Sequence, residues 1–364
     1  MIIFGMDLGN KQTKLFSAKT EEKVIPSHFL YHDDLGNERT SIFNSNIDIH
    51  KYKVNFDDEP YAWGKDLHKL HMEDKFLDTI SFEKRYETEE FKLLANFALA
   101  ELASDFGDQA TSNVLPVTVV TGVPSDDFNE TDVQSIMKVL QGDHTIKRDE
   151  KDYIVRVEDV HVIPQSVGSV YNELIDSNGY MIEENESYLE EEIVVVDIGG
   201  GTVLIDVLKN MNLVNQTQFP TGIHELYDQI VTAAKENPNN SRITTYDVEQ
   251  ILRNGSDEKG YYFKPNKDQS NSITEIVVNT RKKYTRELVN KINRTIKQSH
   301  SIDTMLFTGG GANLIDQAKV QERYKRAIFV ENSETANVTG FYKYGKAIEL
   351  ENSDAHKEVA TTEE

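Results

Sequence analysis

Cysteine is absent from the 364 residues of this chain, so disulfides, thiolate metal sites and cysteine nucleophiles are excluded. No apolar run approaches the roughly 18 residues that span a bilayer, and Met1 leads directly into a strand pattern. A net charge of −23 opposes general nucleic-acid binding, because phosphates would be repelled. We therefore expect a soluble, cytoplasmic protein without membrane contact, long enough for two domains.

Two common nucleotide-binding signatures are also missing, since neither GxxxxGK[ST] nor GxGxxG occurs in the sequence. In both signatures the glycines lead into a helix. The sequence has instead two glycine-bearing acidic turns, at Met6–Asn10 and Val196–Thr202, each between two β-prone runs. The pattern predicts two similar β-hairpins with Asp7 and Asp197 at corresponding positions.

Glycine-bearing hairpin turns let backbone N–H groups approach phosphate oxygens, because no Cβ blocks the approach. An aspartate beside such a turn would repel a bare polyphosphate unless a divalent cation lay between them. Magnesium fits that place, since it keeps several waters and takes few carboxylates. Each turn alone is typical of an ordinary hairpin. Their duplication is what favours a phosphate clamp.

Three further segments extend the pattern. The cluster Gly309–Ala312 stands between an apolar strand signal and a helical pattern that includes Leu314 and Ile315. Its glycines leave room for a flat ring and a ribose against the backbone. Pro164–Ser169 stands at a passage from strand to helix, and Asn337–Gly340 at a helix entry.

In order and spacing, these five segments resemble the motifs of the actin-like ATPases, in the superfamily of actin, sugar kinases and heat-shock chaperones. Thr121–Pro124 is also similar to a segment of ParM-like and StbA-like plasmid segregation proteins. The resemblance implies a two-domain α/β fold, each domain a mixed five-stranded, ribonuclease H-like sheet flanked by helices, with the nucleotide in the interdomain cleft. The implied domains are 1–180 with 336–352, and 190–335, while 353–364 is expected to be a disordered tail.

The resemblance also assigns roles to single residues. Asp7, Asp197 and Gln165 form the implied catalytic set, in which the two aspartates would hold Mg²⁺ through water. Gln165 stands where the family places its water-orienting residue. Some ParM relatives carry glutamate there, and an amide orients water rather than taking a full proton. The positions implied to bind ATP or GTP are Gly9, Asn10, Lys11, Gln12, Lys14, Gly199, Gly200, Gly201, Thr202, Gly222, Gly309, Gly310, Gly311, Asn313 and Asn337.

Three of these positions have a structural alternative that the sequence leaves open. Lys14 is also consistent with an exposed strand lysine, and Gln165 with a residue that caps the following helix. Gly222 is consistent either with a turn glycine at a helix entry or with a position near the ribose.

Two functions remain within the superfamily. The first is a nucleotide-gated filament, a homopolymer of this chain that moves or positions a plasmid through a DNA-binding adaptor on a centromere-like site. The second is a small-molecule kinase that uses the same ATP clamp on a sugar or an acid. No substrate loop typical of such kinases is recognisable, and too few residues follow Gly309–Ala312 for a chaperone-like substrate domain.

Local patterns predict several other elements. A helix is expected over Glu89–Asp105 with Thr88 as its N-cap, and a second from about Thr131, with capping-box spacing to Gln134. The acidic stretch 183–192 reads as a solvated loop near the domain boundary. The polar segment 254–272 reads as a loop or small insertion, in which Tyr261-Tyr262-Phe263 would be an edge strand on its own domain or a filament contact.

Overall fold

The computed structural model describes residues 1–35, 47–70, 72–80, 84–296 and 302–362. The chain divides into two compact units, here called unit 1 (Met1–Glu186 with Asn337–Glu364) and unit 2 (Ser187–Ala336). These units follow from contacts within the chain. The predicted limits of the functional domains stay a prediction.

Unit 1 is built on a single sheet of ten strands. They are β1 (Ile3–Leu8), β2 (Gln12–Ser17), β3 (Thr20–Pro26), β4 (His28–Tyr31), β5 (His50–Val54), β6 (Tyr61–Trp63), β7 (Leu77–Asp78), β8 (Leu115–Val123), β9 (Gly142–Arg148) and β10 (Lys151–Pro164). Five of them, in the order β3-β2-β1-β8-β10, form the mixed sheet that the sequence predicts. The other five were not predicted, and they continue the sheet from β10 through β9 and the short strands β5, β6, β4 and β7.

Unit 2 repeats the central pattern of unit 1. Its strands are β11 (Glu192–Ile198), β12 (Val203–Lys209), β13 (Asn212–Phe219), β16 (Thr304–Thr308) and β17 (Ala327–Phe329), with a separate pair formed by β14 (Tyr262–Asn266) and β15 (Gln269–Ser272). In the order β13-β12-β11-β16-β17, the first two pairings are antiparallel and the last two are parallel. The same pairing sequence holds in β3-β2-β1-β8-β10. Both predicted hairpins, β1–β2 and β11–β12, are therefore confirmed, together with the α/β fold class.

The helices cover the sheets, and several of them begin where a short polar side chain accepts from one of the first N–H groups. They are α1 (Glu89–Ser104), α2 (Asp108–Thr111), α3 (Glu130–Leu140), α4 (Gln165–Leu174), α5 (Ile223–Ala234), α6 (Thr245–Asn254), α7 (Thr274–Thr295), α8 (Gln317–Arg323) and α9 (Ala336–Thr362). Thr88 caps α1 as predicted, by accepting from the Phe91 N–H. The predicted cap at Thr131 is wrong: Asn129 caps α3, because its Oδ1 accepts from the Asp132 N–H at 3.0 Å.

Some polar segments are more ordered than the sequence suggests. The acidic stretch forms a 3₁₀ helix over Glu183–Leu189 and then enters β11, so it is not a loop throughout. Tyr261, just before β14, and Phe263, within it, are buried in the core of unit 2, as expected for a strand packed on its own domain, whereas Tyr262 is 49% exposed. Leu314 and Ile315 precede α8 instead of lying within it, because Asp316 is its N-cap.

The C-terminal segment differs from the expected disordered tail. The backbone of α9 is helical as far as Thr362, beyond the start of that tail at 353, while 363–364 lie outside the described residues. The sequence gives no sign of this, since its apolar periodicity ends before the helix does. Among the helices of the described residues, none combines the length and the apolarity needed to cross a bilayer.

Candidate functional site

The turn between β1 and β2 is organised around the buried carboxylate of Asp7, which is 2% exposed. Its Oδ1 accepts a hydrogen bond from Gln165 Nε2 at 2.9 Å. Its Oδ2 accepts one from Asn337 Nδ2 at 2.8 Å and lies 3.2 Å from Lys14 Nζ. One carboxylate thus gathers three residues that the sequence pattern places far apart in the chain.

This arrangement resolves two of the structural alternatives. Lys14 is a partly buried ion-pair partner of Asp7, its neighbour across the β1–β2 ladder, so it is not a free surface lysine. Gln165 is the first residue of α4, whose N-cap is Pro164, and its side chain is directed to Asp7 and not to the helix backbone. The helix-capping interpretation of Gln165 is therefore wrong.

The donor set of Asp7 fits a magnesium ion held through water. A buried carboxylate must be paired, and the amides and Lys14 provide that pairing. An ionised carboxylate offers about four acceptor sites, of which these three donors use three, so about one remains for a metal-bound water. Within the described residues, no group of three or more His, Asp or Glu side chains is placed to hold a metal directly.

Behind the same turn lies Arg85, a residue that the sequence analysis missed. Its Nη2 donates to the carbonyl oxygens of Leu8 at 2.7 Å and of Gly9 at 3.1 Å, and to Thr79 Oγ1 at 2.9 Å. Burial lowers the pKa of Arg85 from its usual value, while the charge of Asp7 acts in the opposite direction. No motif marks Arg85, because it lies in a short 3₁₀ helix far from the turn in sequence.

The tip of this turn is open to solvent. Asn10 and Lys11 are exposed, while Gln12 begins β2 and pairs with Pro26 of β3. The Lys11 carbonyl accepts from the Ser27 N–H at 3.0 Å, which fixes the turn against the start of β4. The predicted contacts of Asn10, Lys11 and Gln12 with phosphate stay a prediction.

In unit 2 the corresponding turn is fixed by the start of α5. The Gly199 N–H donates to the Thr202 carbonyl at 2.9 Å and closes the turn. The N–H groups of Gly222, Ile223 and His224 donate to the carbonyls of Gly201, Gly199 and Gly200 at 3.0, 2.9 and 3.0 Å, respectively. The first donors of the helix are thus satisfied by the turn.

Gly222 is the N-cap of α5 and touches this turn closely. A Cβ on Gly222 would overlap the Gly200 carbonyl oxygen, so only glycine allows the approach. The interpretation of Gly222 as a glycine at a helix entry is confirmed. Its predicted position near a ribose stays a prediction.

The third glycine cluster lies beside Asp197 within unit 2. Gly309 has a φ of +81°, and a Cβ there would overlap the Asp197 carboxylate and lie 2.6 Å from the Ile198 carbonyl oxygen. The Gly309 and Gly311 N–H groups donate to the Ser333 and Ile198 carbonyls, each at 2.9 Å. The turn between β16 and α8 is therefore locked onto the end of β11.

Asn313 and Ser333 hold this turn from its other side. Ser333 Oγ donates to the Gly309 carbonyl at 3.0 Å and accepts from Asn313 Nδ2 at 3.0 Å. Asn313 was predicted to bind nucleotide directly. Its Nδ2 donates to Ser333, so within unit 2 it supports the turn, and its contact with nucleotide stays a prediction.

A second charged group beside this turn was also missed by sequence reasoning. Arg253 pairs with both oxygens of Glu334 at 3.0 and 3.1 Å, and with Glu249 at 3.0 Å. Glu334 raises the pKa of Arg253. The Glu334 carboxylate lies 3.5 Å from the Cβ position of Gly310, so this ion pair borders the glycine cluster.

Comparisons with known proteins agree with this geometry. Residues 5–168 match the family model "Actin like proteins N terminal domain", and residues 192–339 match the model "Alp7A C-terminal domain". Comparison with curated proteins finds no match.

Three solved structures show the same fold. The apo ParM protein of psk41 is 22% identical, with a TM-score of 0.75 over 96% of this chain and 98% of that one. ParM in a 15-stranded filament from Clostridium botulinum is 20% identical, with a TM-score of 0.68 over 95% and 99%. The archaeal actin homolog Ta0583 in complex with ADP is 14% identical, with a TM-score of 0.69 over 95% and 99%.

The repeated mixed sheet with an acidic glycine turn in each copy defines the class: this is an actin-like protein. The two family models together cover most of the chain, so it belongs to the actin-like proteins, with a C-terminal domain of the Alp7A type.

Proposed function

We propose that this chain is an ATP-hydrolysing, filament-forming protein that segregates or positions a plasmid or similar DNA element. The observation that carries the proposal is the carboxylate of Asp7, held at a glycine turn by Gln165, Asn337 and Lys14. Two related proteins support it, since one is described as a ParM filament and the other as a complex with ADP.

The two acidic turns bind the phosphates of ATP and its magnesium ion. Mg²⁺, when bound, would neutralise charge on the phosphates and on the leaving group. Asp7 and Asp197 would hold it through water, and Lys14 places a positive charge next to Asp7. The N–H groups of Gly9–Gln12 and Gly200–Thr202 would donate to phosphate oxygens, and Gly199 closes the second turn through its N–H.

Gln165 orients the water that attacks the γ-phosphate. Its Nε2 donates to Asp7, which leaves Oε1 as the acceptor for a water proton. An amide oxygen takes no full proton, so the residue acts by position and not as a strong base.

The base and ribose bind at the Gly309–Gly311 turn. The three glycines carry no side chain that would select between purines, so ATP is the expected nucleotide and GTP a tolerated one. Asn337 acts on the phosphate side, through its hydrogen bond to Asp7.

Filaments of this chain would carry DNA through an adaptor. The net charge of −23 opposes direct contact with the DNA backbone, so a basic protein bound to a centromere-like site would supply that contact. The γ-phosphate favours the conformation that polymerises, and hydrolysis removes that preference.

Phosphate release from ATP with magnesium, measured with and without added sugars or small acids, tests the proposal. We expect release of inorganic phosphate in the absence of any acceptor. If phosphate instead leaves ATP only when a small-molecule acceptor is added and becomes attached to it, the chain is a kinase and the proposal fails.

A further inference from the structure

The guanidinium of Arg85 is held by four hydrogen bonds, donated by its Nε and Nη2. Besides the carbonyls of Leu8 and Gly9, it contacts Thr79 twice, through Nε to its carbonyl at 3.2 Å and through Nη2 to its hydroxyl. Its carbon lies 5.5 Å from the ring centre of Tyr86 and 5.0 Å from that of Phe91. Both distances are within the range of cation–π attraction.

Burying a guanidinium is costly unless its donors are satisfied. Here two of the acceptors are the carbonyls of the turn between β1 and β2. An ordinary core position would be filled at less cost by an apolar side chain of similar volume. The placement therefore points to a role at the turn.

The geometry of the peptide group indicates the role of Arg85 at this turn. In a trans peptide, the C=O and the following N–H point in opposite directions. Arg85 holds the carbonyls of Leu8 and Gly9, so the N–H groups of Gly9 and Asn10 are directed to the opposite side of the turn. A cation on the carbonyl side also polarises the peptide and strengthens its N–H as a donor.

Unit 2 shows the same arrangement with a different donor. Gly199 follows Asp197 by two residues, as Gly9 follows Asp7, and its carbonyl is bound by the Ile223 N–H at the start of α5. The N-terminus of a helix carries about half a positive charge. Both turns thus have a positive group behind the equivalent carbonyl, a helix end in unit 2 and a guanidinium in unit 1.

We propose that Arg85 is a positioning residue for the phosphate-binding N–H groups of the β1–β2 turn. It rests on the proposed function, because it assumes that this turn binds nucleotide phosphate. Arg85 fixes and polarises the peptides of Gly9 and Asn10, and it does not itself contact the nucleotide.

The test measures ATP and adenosine affinity, by calorimetry, for wild-type protein, Arg85→Met and Arg85→Lys. Methionine keeps the apolar volume beside Tyr86 and Phe91. Lysine keeps the positive charge but lacks the forked set of N–H donors of the guanidinium. Arg156→Met is the matched control, since Arg156 pairs with Asp143 on the exposed surface of unit 1. Thermal unfolding of each variant is followed by circular dichroism.

For Arg85→Met we expect ATP affinity to fall by about tenfold or more and adenosine affinity to stay unchanged. A tenfold loss is the effect of losing one charge-assisted hydrogen bond, here between an N–H of the turn and a phosphate oxygen. The ATP affinity of Arg85→Lys should lie between those of the wild type and Arg85→Met. The ATP affinity of Arg156→Met should match that of the wild type. In Arg85→Ala, added methylguanidinium should restore part of the ATP affinity, which a purely structural role would not allow.

Two results would overturn the inference while leaving the proposed function in place. One is equal ATP affinity in wild type, Arg85→Met and Arg85→Lys. The other is a result in two parts: Arg85→Lys loses ATP and adenosine affinity to the same extent, and methylguanidinium does not rescue Arg85→Ala. Arg85 would then act on the whole fold and not on the turn. Absence of ATP binding to the wild type would overturn both the proposed function and this inference.

Discussion

Gln165 donates its side-chain amide to Asp7 at 2.9 Å, and this bond ties the first residue of α4 to the end of β1. The two residues are 158 positions apart. Because Nε2 faces Asp7, the amide is held in one orientation. The proposed water-orienting role of Gln165 depends on that orientation.

Replacing Gln165 by alanine should slow ATP hydrolysis by roughly 10²-fold, the lower end for a group that assists proton transfer or positions water. Nucleotide affinity should change little, since Asp7 keeps Asn337 and Lys14 as partners. Phosphate release and ATP titration are the measurements. Gln141→Ala, at an exposed position of unit 1, is the control. Weaker binding at an unchanged turnover rate would assign Gln165 a structural role.

Asp197→Ala should reduce magnesium-dependent hydrolysis to background and leave the fold intact. The residue lies at the end of β11 beside Gly309, so its removal opens space without leaving a core void. Phosphate release is compared with far-UV circular dichroism, and exposed Asp228→Ala in α5 is the control. Turnover at the wild-type rate would remove Asp197 from the site.

Gly309→Ala should destabilise unit 2. Alanine at a φ of +81° costs about 1–3 kcal/mol, and its Cβ would also collide with Asp197. Urea denaturation measures the free energy of unfolding. Gly201→Ala is the stability control, because a Cβ there meets nothing within 4 Å. Equal stability of both variants would contradict the close packing of Gly309 on β11.

His28 should make stability depend on pH below neutrality. Burial lowers its pKa from 6.5 to about 4, and its ring stacks on Phe76 at 4.3 Å between centres. The unfolded chain therefore takes up a proton near pH 6.5 and the folded chain only near pH 4. The stability from neutral His28 is fully present above pH 6.5 and is lost as the pH falls towards 4.

His28→Phe keeps the ring stack and removes this titration. Between pH 7 and pH 4, wild type should lose up to about 3 kcal/mol of unfolding free energy relative to the variant, at 1.36 kcal/mol per unit. Urea denaturation at several pH values measures this difference in unfolding free energy. The contributions of the other histidines cancel, because both proteins contain them. Parallel pH profiles for the two proteins would show that His28 is not buried as described.

The parts that sequence reasoning predicted depend on local chemistry. Glycines and an aspartate after an apolar run define a hairpin turn, so both acidic turns and the strands beside them could be predicted from the sequence. The passage from strand to helix at Pro164–Ser169 was predicted in the same way, because an apolar run precedes it and a helical pattern follows. The order of the motifs then indicated the actin-like fold.

The parts that it missed depend on long-range pairing. Strands β4 to β7 are two to five residues long and pair with partners distant in sequence, so no local periodicity separates them from loops. In the sequence, nothing distinguishes Arg85 and Arg253 from ordinary surface arginines. Only their contacts in the structure do so. The bond from Asn313 to Ser333 joins residues 20 positions apart, and nothing local in the sequence indicates it.

Pelleting and light scattering of the purified protein, above its critical concentration, test the central claim most directly. With ATP and magnesium we expect filaments that disassemble once the nucleotide is spent, because a head-to-tail interface extends without closing and the γ-phosphate favours the polymerising conformation. A hydrolysis-resistant analogue should give persistent filaments, and ADP none. A protein that stays monomeric with all three nucleotides, while transferring phosphate from ATP to an added sugar, would contradict the account.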